Sequence, residues 1–331
     1  MIRKLIAFLV LARVGMAPLT ASVPILGSLS AGNSLNTLDV LALGAIGVCA
    51  HLFGFGLNAL IDAPLDQTLP YYQNHPFNTG RLSGGDVGVF SVAQIGIAVT
   101  IYRQGLDADV MDVALLLLSM AASVYYNLWS KWGPLPRILS ELSLAASIVL
   151  LSLSGAQTLS YDALVFAVTL GLILLLVNSL PSGLKDLKTD AEFGARSFVL
   201  ASGATVQGED AVEIPLNLHI YGGILQIAII AGLVAMIFQW ELGLMVASVT
   251  LLLAFFGALH LRMLLAVRSF DAIRQSKPLL NGYYNYAALL VILAPRMTIW
   301  LQILIGVVAL LLLTLPLRLG WGLWRGRYVL D

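Results

Sequence analysis

The sequence predicts an all-α, polytopic transmembrane helical bundle. Three observations predict it. Of the 331 residues, 59% are hydrophobic and only 11% charged, where soluble domains carry roughly 25% charged residues. Apolar runs of about 20 residues recur along the chain, and in lipid the backbone must satisfy its own hydrogen bonds, so each run reads as a helix. Basic residues gather in alternate loops, as the positive-inside rule requires of a multi-pass protein. The whole chain, 1–331, reads as a single integral membrane domain in the inner or cell membrane.

The elements follow in order. The first run starts after Arg3 and Lys4 and continues to Gly27, longer than a signal peptide's apolar core, so it reads as a span over 5–29. Further spans are expected near 38–61, 86–102, 110–130, 136–155, 160–181, 217–238 and 241–265. A shorter run at 279–295 and another at 299–318, separated by "PRMT", make the count nine or ten. With the N-terminus inside, the loops after even-numbered spans carry Arg81, then Lys131, then Lys185, Lys188 and Arg196, then Arg268, Arg274 and Lys277. The opposite loops carry only Arg103. Arg318, Arg325 and Arg327 in the tail favour ten spans and a cytoplasmic C-terminus.

Composition also excludes. Formal net charge is zero, so there is no basic field for nucleic acid. The one cysteine, Cys49, rules out a disulfide framework within the chain and a cysteine-based metal site. His51 and His260 sit in apolar runs and receive no role, because a lone helical histidine is more often a hydrogen-bonded structural group.

The reactive side chains concentrate in two long cytoplasmic loops, 62–85 and 184–216. "NALIDAPLDQ" spaces Asn58, Asp62 and Asp66 four residues apart. On a helix such positions drift by only about 40° and rise about 6 Å per step, so they share a face. Pro64, lacking an N–H, is expected to kink or end the helix there, putting the ladder at the join of helix and loop. "DLKTD" repeats the spacing with Asp186 and Asp190. A single loop aspartate is usually a solvated carboxylate. Asn58 and Asp62, however, begin within the membrane zone, where an ionisable group is costly and marks a functional site by default. Carboxylates without cysteine or abundant histidine favour a hard cation. Mg²⁺ typically takes one or two carboxylates together with substrate phosphates. With Arg81, Lys131, Lys185, Lys188 and Arg196 in the same set of loops, the pattern points to a Mg²⁺–diphosphate site; each basic residue taken alone reads as a positive-inside anchor.

These motifs together resemble the UbiA superfamily of intramembrane prenyltransferases. The family carries NxxxDxxxD after its second helix, and "NALIDAPLDQTLPYYQNHPFNTGRLSGGD" matches it at Asn58, Asp62 and Asp66. It carries DxxxD after its sixth helix, followed by Gly-x-Arg-Thr or Gly-x-Arg-Ser, and "DLKTDAEFGARSF" matches at Asp186, Asp190, Gly194, Arg196 and Ser197. "YYNLWSKWG", Tyr125 to Gly133, matches a tyrosine-to-lysine segment after helix four, and Arg13 matches an arginine of helix one. The resemblance covers residues 10–295. Departures are His75 in place of the family's usual arginine, Trp132 where a second basic residue is common, and Ala59 where aspartate often follows the asparagine.

The resemblance implies a UbiA-like nine-helix core with a tenth C-terminal span left open. It implies Mg²⁺-dependent transfer of a prenyl group from a polyprenyl diphosphate to an aromatic or other lipophilic acceptor, through an allylic cation and with loss of pyrophosphate. Asp62, Asp66, Asp186 and Asp190 are the implied catalytic carboxylates, and with Asn58 they are the implied Mg²⁺ ligands. Arg13, Asn58, Arg81, Lys131, Lys185, Lys188 and Arg196 are the implied diphosphate contacts, with Tyr126 near the cation. Tyr125, Tyr126 and Trp129 equally suit an interfacial aromatic belt. A terpene cyclase on the same fold is the near alternative. A CDP-alcohol phosphotransferase fits less well because "DAPLDQ" lacks that motif's Gly and Arg. A transporter would place its charges nearer the midplane.

Overall fold

Helices in this chain begin where the sequence supplies caps. Ser83 accepts a hydrogen bond from the backbone N–H of Asp86 at 3.1 Å, and Asp86 accepts from the N–H of Ser83 at 3.0 Å. Asp109 and Asp112 repeat the exchange at 2.9 and 3.2 Å. Each reciprocal pair satisfies two of the donors that a helix start leaves without partners. The computed structural model describes residues 2–66, 76–106, 108–132, 134–208, 211–266 and 269–296, without the side chains of 65 and 66.

The helices in order are α1 (Ile2–Leu11), α2 (Ala17–Ser30), α3 (Thr37–Asp66), α4 (Gly84–Gly105), α5 (Val110–Trp129), α6 (Arg137–Ala156) and α7 (Tyr161–Val177). A π-helical turn (Asn178–Ser182) leads into α8 (Gly183–Glu192), then the short α9 (Phe198–Ala201). Strands β1 (Thr205–Gln207) and β2 (Ala211–Glu213) precede α10 (Leu216–Gln239), α11 (Leu244–Ala266) and α12 (Phe270–Leu293). Seven of these helical stretches are long and apolar enough to cross a membrane, and the bent pair α1–α2 makes eight. The chain is therefore an integral multi-pass membrane protein, as the composition predicts.

The chain divides into two compact units, Met1–Ala167 and Val168–Asp331. In the first, α2 packs against α3 and α6, α3 against α4, and α5 against α6. The α2–α6 contact is made by small residues. A Cβ at Gly27 would collide with the backbone carbonyl of Ser152, and one at Gly155 with that of Pro24. Small residues let helices approach closely where lipid supplies no hydrophobic drive. Polar side chains tie α6 to two neighbours, α5 and the segment after α2. Asn33 Nδ2 donates to the carbonyl of Ala156 at 2.7 Å, and Ser119 Oγ to that of Ser147 at 2.6 Å. Below them Phe8 of α1 stacks on Phe90 at 5.2 Å and sits against Gly56, where a Cβ would come within 2.8 Å of its ring.

In the second unit α10, α11 and α12 pack in sequence, and α12 also meets the π-turn and α8. Tyr284 lies against Gly257, and Tyr221 Oη donates to Ser179 Oγ at 3.1 Å. The two strands form an antiparallel hairpin pairing Thr205 with Glu213 and Val206 with Val212.

Four expectations change. The first span is not one helix over 5–29 but two, bent by 57° where Arg13 takes a left-handed conformation (φ 52°, ψ 47°). A charged residue interrupts the apolar run there, and Pro18, in the first turn of α2, suits a helix start. Second, α3 does not end at Pro64 but continues to Asp66, so the whole ladder is helical; prolines are tolerated in transmembrane helices when neighbours re-satisfy the freed groups. Third, 184–216 is not a plain loop. The π-turn accommodates Pro181, and Ser182 Oγ takes the Val177 carbonyl at 2.9 Å, so the helix resumes as α8. Fourth, the short run at 279–295 belongs to α12, which starts at Phe270 and has 24 residues, with Pro278 inside it. The run at 299–318, His75, Arg268 and the basic tail lie outside the described residues.

Candidate active site

The first motif is built on the C-terminal part of α3, after an apolar stretch that carries it through the membrane. Asn58 and Asp62 are one turn apart, and Asn58 Nδ2 donates to Asp62 Oδ2 at 3.1 Å. Lys131, in the connection between α5 and α6, brings its Nζ to 3.8 Å from the same oxygen. That is beyond hydrogen-bond length, so the attraction is Coulombic. Both side chains are largely shielded, at 21% and 17% exposed, so it is screened less than a surface pair. Asp66 occupies the next position on the same helical face; its side chain lies outside the described residues.

Three further candidates belong to this unit. Tyr126 is half-buried on α5, while its neighbours Tyr125 and Trp129 meet edge to face at 4.5 Å. Arg13 places its guanidinium carbon 5.7 Å from the centre of the Phe55 ring, and Phe55 precedes Asn58 by three residues on α3. Arg81 is exposed in the segment that enters α4, where its N–H donates to the carbonyl of Pro76 at 3.0 Å. The structure thus brings Asn58, Asp62 and Lys131 together.

The second motif lies on α8 in the other unit. Leu184 and Leu187 are buried, Asp190 is 2% exposed, and Lys188 points outward. Lys185 Nζ pairs with Asp186 Oδ1 at 3.0 Å, both partly exposed. The helix is closed by Gly194 at φ 71°, a left-handed position that glycine adopts without a Cβ penalty. The N–H of Ala195 then returns to the carbonyl of Asp190 at 2.8 Å, so the chain doubles back with Arg196 exposed and Ser197 buried.

Sequence reasoning missed Arg137. It is 7% exposed and donates through Nη1 to the carbonyl of Trp129 at 2.5 Å. It thereby caps α5 and braces the connection that carries Lys131. In the sequence it reads as one more basic residue at a helix start. Asn127 was missed as well: buried on α5, it donates to the carbonyl of Gly54 at 3.3 Å and ties α5 to α3.

The donor chemistry fits a hard cation. Every candidate ligand offers oxygen, the donor that hard cations take, and Asp190 holds its carboxylate away from solvent at 2% exposed. Among the described residues no three His, Cys, Asp or Glu side chains converge into a ready-made cage.

The sequence profile of the UbiA prenyltransferase family matches residues 18–277. No curated protein matches the chain by sequence. Among solved structures, a digeranylgeranylglyceryl phosphate synthase is similar at 14% identity and a TM-score of 0.66, over 88% of this chain and 98% of that one. A UbiA homologue from Aeropyrum pernix K1 is similar at 16% identity and a TM-score of 0.63, over 86% and 98%. A third, a UbiA homologue from Archaeoglobus fulgidus bound to Cd²⁺, reaches 0.50 at 14% identity, over 96% and 98%. Identities this low establish a shared fold, and the profile match over most of the chain establishes the kinship: this membrane protein belongs to the UbiA prenyltransferase family.

Proposed function

We propose that the protein transfers a prenyl group from a polyprenyl diphosphate to an aromatic or other lipophilic acceptor, releasing pyrophosphate, with Mg²⁺ held by Asn58, Asp62, Asp66, Asp186 and Asp190. The observation that carries this reading is the convergence of Asn58, Asp62 and Lys131 where α3 leaves its apolar stretch. An amide, a carboxylate and an ammonium group at the end of a membrane helix suit a ligand with an apolar tail and an anionic head.

When bound, Mg²⁺ supplies Lewis-acid neutralisation of the leaving pyrophosphate and a template for it. The protein's own groups have separate tasks. Lys131, Arg13 and Arg81 in one motif set, with Lys185, Lys188 and Arg196 in the other, provide preorganised positive charge for the diphosphate oxygens. Asn58 orients Asp62 through their hydrogen bond. Tyr126 offers a ring face to the allylic cation that forms as the C–O bond breaks. Apolar helices exclude water, so that the acceptor's electron pair, rather than a water molecule, closes the new bond; the acceptor's proton is then lost. The lysine and arginine distribution supports a cytoplasmic N-terminus, with both carboxylate motifs on that side. Binding of Cd²⁺ by the Archaeoglobus homologue lends support to a divalent-cation site.

Pyrophosphate release by the purified protein in detergent tests the reading, with geranyl, farnesyl and geranylgeranyl diphosphate, Mg²⁺ and a lipid extract as acceptor source. Mg²⁺-dependent release with a prenylated product supports it. Release with a cyclised hydrocarbon and no acceptor would assign a terpene cyclase instead. No release with any of the three would overturn it.

A further inference from the structure

His51 lies in the middle of α3, 2% exposed, two turns before Asn58. A buried polar ring within a transmembrane helix needs partners, and His51 uses both nitrogens. Nε2 lies 3.0 Å from the carbonyl oxygen of Ala12 and 3.3 Å from that of Arg13. Carbonyls only accept, so Nε2 carries the proton, and Nδ1 accepts from the Thr20 hydroxyl at 3.0 Å. The ring therefore grips the first span on both sides of its break: Ala12 and Arg13 before it, Thr20 after it.

The break has a consequence for Arg13. In a continuous helix its side chain would lean back over the preceding turn. The left-handed backbone at Arg13 instead redirects it, and the guanidinium comes to stand over Phe55, whose ring stacks on His51 at 4.3 Å. Such a conformation is unfavourable for a residue with a Cβ and persists only where the surroundings over-determine it. Ending α1 also strips carbonyls of their helical donors. The N–H of Met16 returns to the Arg13 carbonyl at 2.8 Å, while the Ala12 carbonyl is taken by His51. His51, Phe55, Asn58 and Asp62 follow one another at helical spacing along a single face of α3.

We propose that His51 is a positioning residue for diphosphate binding: it clasps the broken first span so that Arg13 stands over Phe55, one turn before the Asn58–Asp62 pair. This rests on the active-site reading above, in which Arg13 contacts the diphosphate. His51 itself touches no substrate and acts through Arg13 alone.

The test is the dissociation constant of magnesium pyrophosphate for the full-length protein in detergent, a probe independent of prenyl length and acceptor. Two variants keep a polar amide in the helix. H51Q extends its N–H₂ to where Nε2 lies, whereas H51N is too short to reach the Ala12 carbonyl. R13N removes the guanidinium with a residue that tolerates the left-handed backbone. H51N is expected to weaken binding about tenfold, the size of one hydrogen bond to a charged group. R13N should weaken it by a similar factor, H51Q should stay within about twofold of the unaltered protein, and the H51N/R13N double variant should bind no more weakly than R13N. Equal behaviour of H51N and H51Q, or multiplying effects in the double variant, would overturn the proposal. If Asp62→Ala abolishes binding while R13N leaves it intact, this inference alone fails; if Asp62→Ala binds normally, the active-site reading fails.

Discussion

The Nζ of Lys131 lies 3.8 Å from Oδ2 of Asp62, so the connection between α5 and α6 meets the end of α3. More than 60 residues separate the two in sequence, and their meeting joins a basic residue to a carboxylate of the motif. Replacing Lys131 with alanine is expected to raise KM for the prenyl diphosphate about tenfold, by loss of one charge-assisted contact, with a smaller change in kcat. Steady-state pyrophosphate release over a range of diphosphate concentrations checks it; an unchanged KM removes Lys131 from the site.

Asp62→Ala and Asp62→Asn are both expected to lower turnover by a factor of about 10² or more, the scale of losing an electrostatic group at developing charge. Insertion and purification should be unaffected, because Asp62 is not a core packing residue. A monodisperse size-exclusion peak with no activity is the expected pair of results. Activity near that of the unaltered protein would remove Asp62 from the metal site.

Asn58→Leu is expected to have a milder effect than Asp62→Ala. It deletes the 3.1 Å hydrogen bond that orients Asp62 but leaves the carboxylate itself. Turnover should recover partly as Mg²⁺ is raised, with the half-saturating concentration moved up by about tenfold, one hydrogen bond's worth. A Mg²⁺ titration of the rate measures it, and EDTA should silence both proteins.

Arg137→Ala should lower stability by about 1–3 kcal/mol, since a buried guanidinium that caps the Trp129 carbonyl is removed. A thermal-melt comparison in detergent reports it. An unchanged melting point would show that the carbonyl finds another donor.

Gly155→Val should prevent α2 and α6 from packing, because a side chain there meets the backbone of Pro24. Gly96→Ala, at a position with open space, is the control. Size-exclusion profiles should show aggregate for the first and a normal peak for the second.

Much of the fold was legible because hydropathy is a local quantity. The runs at 38–61, 86–102, 110–130 and 217–238 each fall on a helix, α3, α4, α5 and α10 in turn, with α3 and α4 longer than expected. The ladder and the Asp186–Asp190 pair were legible for the same reason: four-residue spacing is a property of one segment. The errors fall where a distant partner changes local geometry. Arg13 looked like an arginine inside a helix, and the carbonyl partners that accompany its left-handed turn come from His51, 38 residues on. The span expected over 160–181 does not stop there, because a π-turn carries the chain past Pro181 into α8.

The sequence by itself determined the membrane class, most of the spans within the described residues and the spacing of the two carboxylate motifs, since burial in lipid and helical periodicity are written in neighbouring residues. Tertiary structure alone decided which basic residue reaches Asp62, where the first span breaks, and that Arg137 and His51 brace the elements around the motif. Those are contacts between segments far apart in the chain, and the free energy that selects them resides in packing and shared hydrogen bonds rather than in any stretch of residues.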